Sequence, residues 1–312
     1  MNKKKSGAVI VFLASLLWAG DAPFRKPLLV GGLGTGFVAF LEHMFNGLVS
    51  LPGLIRHRAD FYKLDFKKML GLLYIGAGAS ALAAILFVQG AVAMNYNFTV
   101  AALLQKFQPL FAILLAAVFL KEKISLKFWL LVIPALLGGY LISFGAISPL
   151  NIWEAVEGVS WHGPALAVLA ALLWAGGTVV GRALLFDLNF QFVTGLRFVL
   201  GFVFLLVYVL AFEKMQFGLM SPYFWRNTII ISLLTGFFAL LLYYFGLKNT
   251  KASTATLMEL GYPLALSLIN WKFLGIALGV YQIAGAIILL GAVTALVLES
   301  IKEPKDGREL NP

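Results

Sequence analysis

The sequence predicts an all-α integral membrane protein of ten transmembrane helices arranged as two inverted five-helix repeats, and three observations carry that expectation. The first is that the chain is written twice, since Ala14-Ser15-Leu16-Leu17-Trp18-Ala19-Gly20 returns as Ala170-Ala171-Leu172-Leu173-Trp174-Ala175-Gly176. Self-similarity over half a chain decides architecture before any single residue does. The second is composition. Of 312 residues 61% are hydrophobic and 12% charged, with mean hydropathy +0.92, whereas soluble domains run about 45–50% apolar and about 25% charged. The third is that each half carries five apolar stretches of roughly the 20 residues that cross a bilayer. An odd number per half sends the second copy into the membrane from the opposite side.

The repeats are expected at 1–148 and 161–299, with an outer linker at 149–160 and a charged, disordered cytoplasmic tail at 300–312. The spans fall at 7–30, 34–54, 69–94, 97–119, 126–148, 161–185, 190–212, 226–247, 253–273 and 276–299. Lys3-Lys4-Lys5 before an apolar run has the layout of a secretory signal. That run continues to about Val30, however, and its twin at Trp161–Leu185 sits mid-chain, so it reads as a span. Pro23 and Pro27 are expected to kink or break it. The connector Arg56–Lys68 mixes aromatics with charges and reads as a solvated connector, the alternative being a segment lying along lipid headgroups. Gly76-x-Gly78, Gly138-Gly139, Gly177-x-x-x-Gly181 and Gly275-x-x-x-Gly279 are helix-packing signals.

Charge sets orientation. The 24 Lys+Arg against 14 Asp+Glu give a formal +10, which in a soluble protein would hint at nucleic acid. With the N-terminus inside, nearly all of these cations, from Lys3-Lys4-Lys5 through Arg56, Lys68, Lys121, Arg182 and Lys251 to Lys305, fall on the inner face. Lys214, Arg226 and Lys272 are the outer ones, with Arg25 and Lys26 near that side. A multi-pass protein of the plasma or inner membrane with both termini cytoplasmic follows, and no nucleic-acid partner is required. The absence of Cys excludes disulfides and thiolate metal sites. There is no Gly-Lys-Ser/Thr phosphate loop and no His-Glu-x-x-His, and His43, His57 and His162 are scattered. Neither an enzyme, a metal nor a cofactor is expected.

Ionisable groups inside spans are the informative ones, because each costs at least a few kcal/mol at the bilayer centre and faces a cavity or partner. The candidates are Asp21, Arg25, Lys26, Glu42, His43, Lys106, Arg197 and Glu259. Arg25 and Lys26 are expected to snorkel outward, and His43 to be a satisfied interior histidine. Glu42 and Arg197 occupy equivalent positions with opposite charge and are expected to pair. The fourth span carries Ala101, Gln105, Gln108 and Ala112 on one helical stripe, and the ninth carries Thr256, Glu259 and Pro263 on the equivalent one. Lys106 lies about 100° round the helix from Gln105. Trp18, Trp174, Tyr243, Tyr244 and Tyr262 are candidates to line the same cavity, although packing accounts as readily for any single aromatic. The expected solute-binding set is therefore Trp18, Gln105, Gln108, Trp174, Tyr243, Thr256, Glu259 and Tyr262, with Glu42, Lys106, Arg197 and Glu259 as pairing or coupling charges. Glu259 either exchanges protons during transport or is half of an ion pair with Lys106 or Arg197.

The doubled opening, Gly195-Leu196-Arg197-Phe198, and Gln105-Lys106-Phe107-Gln108-Pro109 leading to Phe119-Leu120-Lys121-Glu122 resemble the EamA-type members of the drug/metabolite transporter superfamily over residues 7–298. The resemblance implies an exporter or permease of a small organic metabolite such as an amino acid. It also implies a central cavity lined by the first, third and fourth helix of each half. The chain departs from the family at Glu42, where an Arg is usual, and at Leu120-Lys121-Glu122 and Leu274-Gly275-Ile276, where Leu-Gly-Glu is usual. An integral-membrane lipid-modifying enzyme and a non-transporting scaffold are the alternatives. The first needs a His, Asp or Glu cluster near one face, the second a fully packed apolar centre.

Overall fold

The computed structural model describes residues 3–94, 98–144, 161–274 and 278–302. The linker 149–160 and the tail from 303 lie outside the described residues. Regular structure within them is helical: α1 Lys3–Trp18, α2 Asp21–Val30, α3 Thr35–Arg56, α4 Phe66–Leu73, α5 Ala83–Ala93, α6 Phe98–Gln105, α7 Gln108–Phe119 and α8 Leu126–Phe144 come first. They are followed by α9 His162–Leu184, α10 Phe190–Phe212, α11 Pro222–Ile230, α12 Ala239–Leu247, α13 Ala252–Met258, α14 Gly261–Leu274 and α15 Val280–Lys302. Short π-helices, Tyr74–Leu82 and Ile231–Phe238, join α4 to α5 and α11 to α12.

Among the described residues eight helical stretches are long and apolar enough to cross a membrane, not ten. The fourth and ninth expected spans are each interrupted, as α6 and α7 and as α13 and α14. Proline explains both breaks, because it brings no N–H to the carbonyl four residues earlier. Pro109 thereby deprives Gln105, and Pro263 deprives Glu259, whose carbonyl accepts instead from the N–H of Tyr262 at 3.0 Å. The first span breaks at Ala19-Gly20, four residues before Pro23, while its twin α9, with Val179 and Ala183 at the proline positions, runs unbroken.

Two pairs of equivalent helices, α3 with α10 and α8 with α15, pack on each other and run antiparallel. Glu213, just past the end of α10, accepts the N–H groups of Gly36 and Phe37 at the start of α3, each at 3.0 Å. Conversely Asp60, just past the end of α3, accepts the N–H of Asn189 at the start of α10 at 2.6 Å. Each helix start is thus satisfied by an acid from the other half, where both orphan N–H groups and the helix dipole favour one. In α8 and α15, a Cβ on Gly138 would lie 2.8 Å from the Gly285 carbonyl. Such close backbone approach takes the place of the hydrophobic effect between helices in lipid. The same contact is built twice elsewhere. A Cβ on Gly246 (α12) would lie 2.8 Å from the Gly7 carbonyl (α1), and one on Gly90 (α5) 2.9 Å from that of Gly163 (α9).

The Arg56–Lys68 connector is mostly exposed, as expected of a solvated connector, but it is ordered against the second half. It forms a 3-10 helix at Arg58–Lys63, and Asp60 is buried by its bond to Asn189. Phe61 meets Phe192 edge-on at 4.8 Å.

Candidate functional site

The helix breaks put the polar stripes in contact. Gln108 begins α7 and Glu259 ends α13, and the Gln108 Nε2 donates to Glu259 Oε2 at 3.0 Å. On the other carboxylate oxygen, Tyr243 Oη donates to Oε1 at 2.8 Å, and Thr178 Oγ1 lies 3.4 Å from it and 3.0 Å from Tyr243 Oη. Trp18 packs its ring on Tyr243 with centroids 5.4 Å apart. Helices α1, α7, α9, α12 and α13 therefore converge on one carboxylate, and every group bonded to it is a neutral donor. Among the described residues neither Arg197, which bonds to Tyr244 and Ser80, nor Lys106 bonds to it. The expected ion pair is not formed. Ser15 of α1 reaches the break in the ninth span, its Oγ 3.1 Å from the Met258 carbonyl.

The equivalent place in the first half has the same shape and different chemistry. Trp174 packs on Phe87 with centroids 5.6 Å apart, repeating the Trp18–Tyr243 pair without its hydroxyl. Gln105 stands where Glu259 does, Ala22 where Thr178 does and Tyr262 where Gln108 does. The polar site is built once, from second-half helices plus Gln108.

Two further networks flank it. Arg25 donates to Asp21 through Nε at 2.5 Å and Nη2 at 2.8 Å, and to Glu42 Oε2 through Nη2 at 2.7 Å. Thr235 of the second π-helix donates to Asp21 at 3.1 Å. Arg25 is thus not a snorkelling cation but the centre of a lock between α2, α3 and the eighth span. Lys26 is exposed, as expected. In the second network Arg197 donates to Tyr244 Oη at 2.9 Å and Ser80 Oγ at 3.2 Å, and Ser80 lies 3.0 Å from His43 Nε2, beside Glu42 on α3. The Glu42–Arg197 pair expected from equivalent positions does not form, because antiparallel α3 and α10 carry the two residues toward opposite ends. His43 is the satisfied interior histidine expected, its Nδ1 2.9 Å from the Ala39 carbonyl. Both networks use a π-helical residue, Ser80 or Thr235, at a kind of distortion common at functional sites.

The remaining expected residues are spread around this centre. Thr256 is buried one turn before Glu259 with its hydroxyl unpartnered. Gln105 and Lys106 are half-buried at the break before α7. Tyr262 is half-buried at the start of α14. Sequence reasoning missed Thr178, Ser80 and Thr235. Thr178 left one signal, a hydroxyl beside the Gly177-x-x-x-Gly181 stripe where the first half has Ala22. Among the described residues no three His, Asp or Glu side chains gather where they would hold a metal ion.

Comparison with known proteins completes the picture. The EamA-like transporter family matches twice, at residues 5–144 and 161–298. The riboflavin transporter ImpX of Fusobacterium nucleatum subsp. nucleatum is 31% identical over 296 residues, covering 93% of this chain and 97% of that protein. A solved structure described only as "Crystal structure of protein" superposes with a TM-score of 0.75 at 15% identity. It covers 96% of this chain and 100% of the other, a likeness of fold. With its apolar helices, its doubled sequence and these matches, the chain is a multi-pass membrane protein that belongs to the EamA-like transporter family.

Proposed function

We propose that this chain carries a small heteroaromatic solute of the riboflavin kind across the cell membrane by alternating access between two inverted repeats, 1–148 and 161–299. Both termini are cytoplasmic in this reading, which the one-sided Lys and Arg distribution supports. The observation that carries the reading is the Glu259 centre. A carboxylate held by Gln108, Tyr243 and Thr178 at the helix breaks offers an oriented acceptor edge, and Trp18 and Tyr243 offer aromatic faces beside it. Few precisely placed polar groups among aromatic walls are what orient a ligand in such a site. The antiparallel packing of α3 with α10 and of α8 with α15 supports the inverted arrangement. The Asp21–Arg25–Glu42–Thr235 lock closes the end at which α2 terminates, and the bond from Arg197, two turns into α10, to Tyr244 near the end of α12 lies toward the opposite end. Each must loosen when the site opens to its side. Glu259, bonded by neutral donors, is free to couple solute movement to a proton.

A second reading, an amino acid, is favoured by Lys106, which has no ion-pair partner among the described residues and would complement Glu259 for a zwitterion. Purified protein in liposomes separates the two. Saturable exchange of labelled riboflavin, unaffected by a mixture of amino acids and weakened by Tyr243→Phe, is the expected result. Exchange of amino acids alone would select the second reading. Movement of neither class above that of protein-free liposomes would reject both.

A further inference from the structure

We propose that the Arg56–Lys68 connector is a docking platform for anionic lipid headgroups. The segment is fastened to the start of α10 at several points. Asp60 accepts the Asn189 N–H and pairs with Lys63 at 2.7 Å. His57 Nε2 lies 2.8 Å from Gln191 Oε1, Phe61 packs on Phe192, and Lys68 pairs with Asp187 at 3.0 Å. These bonds consume Lys63 and Lys68 and leave Arg56, Arg58 and Lys67 exposed, with no carboxylate partner among the described residues. Tyr62, 93% exposed, and Phe66, 76% exposed, stand beside them.

The apolar rows of the flanking helices say what lies opposite. Leu48, Leu51 and Ile55 form an exposed stripe on α3 that ends at Arg56, and Phe66, Met69, Leu70 and Leu73 form one on α4 that starts beside Lys67. In a multi-pass membrane protein such stripes face acyl chains, so the three free cations and Tyr62 sit at the headgroup level, where aromatic and basic residues anchor. Uncompensated positive charge there selects anionic over zwitterionic headgroups. The corresponding connector at the other end of the bundle, between α10 and α11, offers Lys214 as its one cation, and its Phe217 packs on Phe37. The platform is therefore one-sided, and through Asp60 it is joined to the start of α10, two turns before Arg197.

The test uses the full chain in detergent, following its apparent melting temperature during titration with phosphatidylglycerol, phosphatidylcholine or inorganic phosphate. Phosphatidylglycerol is expected to raise the melting temperature saturably, and the other two are not. The combined Arg56→Gln, Arg58→Gln and Lys67→Gln variant is expected to lose on the order of 10²-fold in apparent phosphatidylglycerol affinity, and Arg58→Gln alone about fivefold. The single variants carry the test should the triple one not fold. An equal response to phosphatidylcholine, an equal response to inorganic phosphate, or unchanged affinity in the Arg58→Gln and Lys67→Gln singles would overturn the proposal.

Discussion

Tyr243 and Phe87 occupy equivalent places against equivalent tryptophans, and the hydroxyl of Tyr243 is what turns a packing pair into part of a site. Tyr243→Phe keeps the ring on Trp18 and removes one donor from the Glu259 carboxylate. A hydrogen bond to a charged group is worth about 1.5–3 kcal/mol; its loss frees the carboxylate from its fixed orientation, and solute affinity measured by equilibrium binding should fall, by up to roughly 10- to 100-fold. Glu259→Gln should likewise fold, since no cation bonds to the carboxylate, and should abolish pH-dependent net flux if Glu259 carries the proton. Net flux that keeps its pH dependence in the well-folded variant would remove that role. Lys121 holds a φ of +56°, where a side chain costs roughly 1–2 kcal/mol, and it stands where the family's Leu-Gly-Glu has glycine. Lys121→Gly should raise the apparent melting temperature by a few degrees. Gln108 and Glu259 were legible as residues because a polar side chain in an apolar span demands a reason. Thr178 was not, because a lone hydroxyl in a helix can satisfy itself on its own backbone.

At the scale of the element, the breaks in the fourth and ninth spans were written in Pro109 and Pro263. Their consequence, two short helices whose ends face each other, needed the fold. So did the partner of the second break. Glu122 from the first half accepts the N–H groups of Ala252 at 2.8 Å and Ser253 at 3.1 Å, capping the seven-residue α13 that ends at the site. Glu122→Ala would strand those donors in a buried place at about 1–3 kcal/mol each, and the fraction recovered as monodisperse protein should drop. The Arg25 lock was illegible for a different reason. Near a span end an arginine reads as snorkelling, and only the fold of α2 onto α3 brings Glu42, 17 residues on, to 2.7 Å. Thr235→Val removes one bond of that lock without stranding a charge. In a variant carrying a single cysteine at position 262, it should speed labelling by an impermeant thiol reagent from the α2 end, and an unchanged rate would show that the lock does not gate that side.

At the scale of the molecule, the doubling was the most legible feature, since Trp18 and Trp174 announce it before any helix is placed. What doubling hides is asymmetry. Two similar halves have diverged at Glu259 and Gln105, Tyr243 and Phe87, Thr178 and Ala22, Glu42 and Arg197. Which member of each pair does chemistry depends on contacts between halves that no spacing along the chain encodes. The central claim is that the Glu259 centre becomes accessible alternately from the two faces around a bound solute. Because the chain contains no cysteine, a single Gln105→Cys variant in oriented liposomes tests it most directly, by labelling with an impermeant thiol reagent from each face with and without riboflavin. The account predicts labelling from both faces, slowed at both by the solute. Labelling confined to one face under all conditions, or indifferent to every solute that the protein transports, would contradict it.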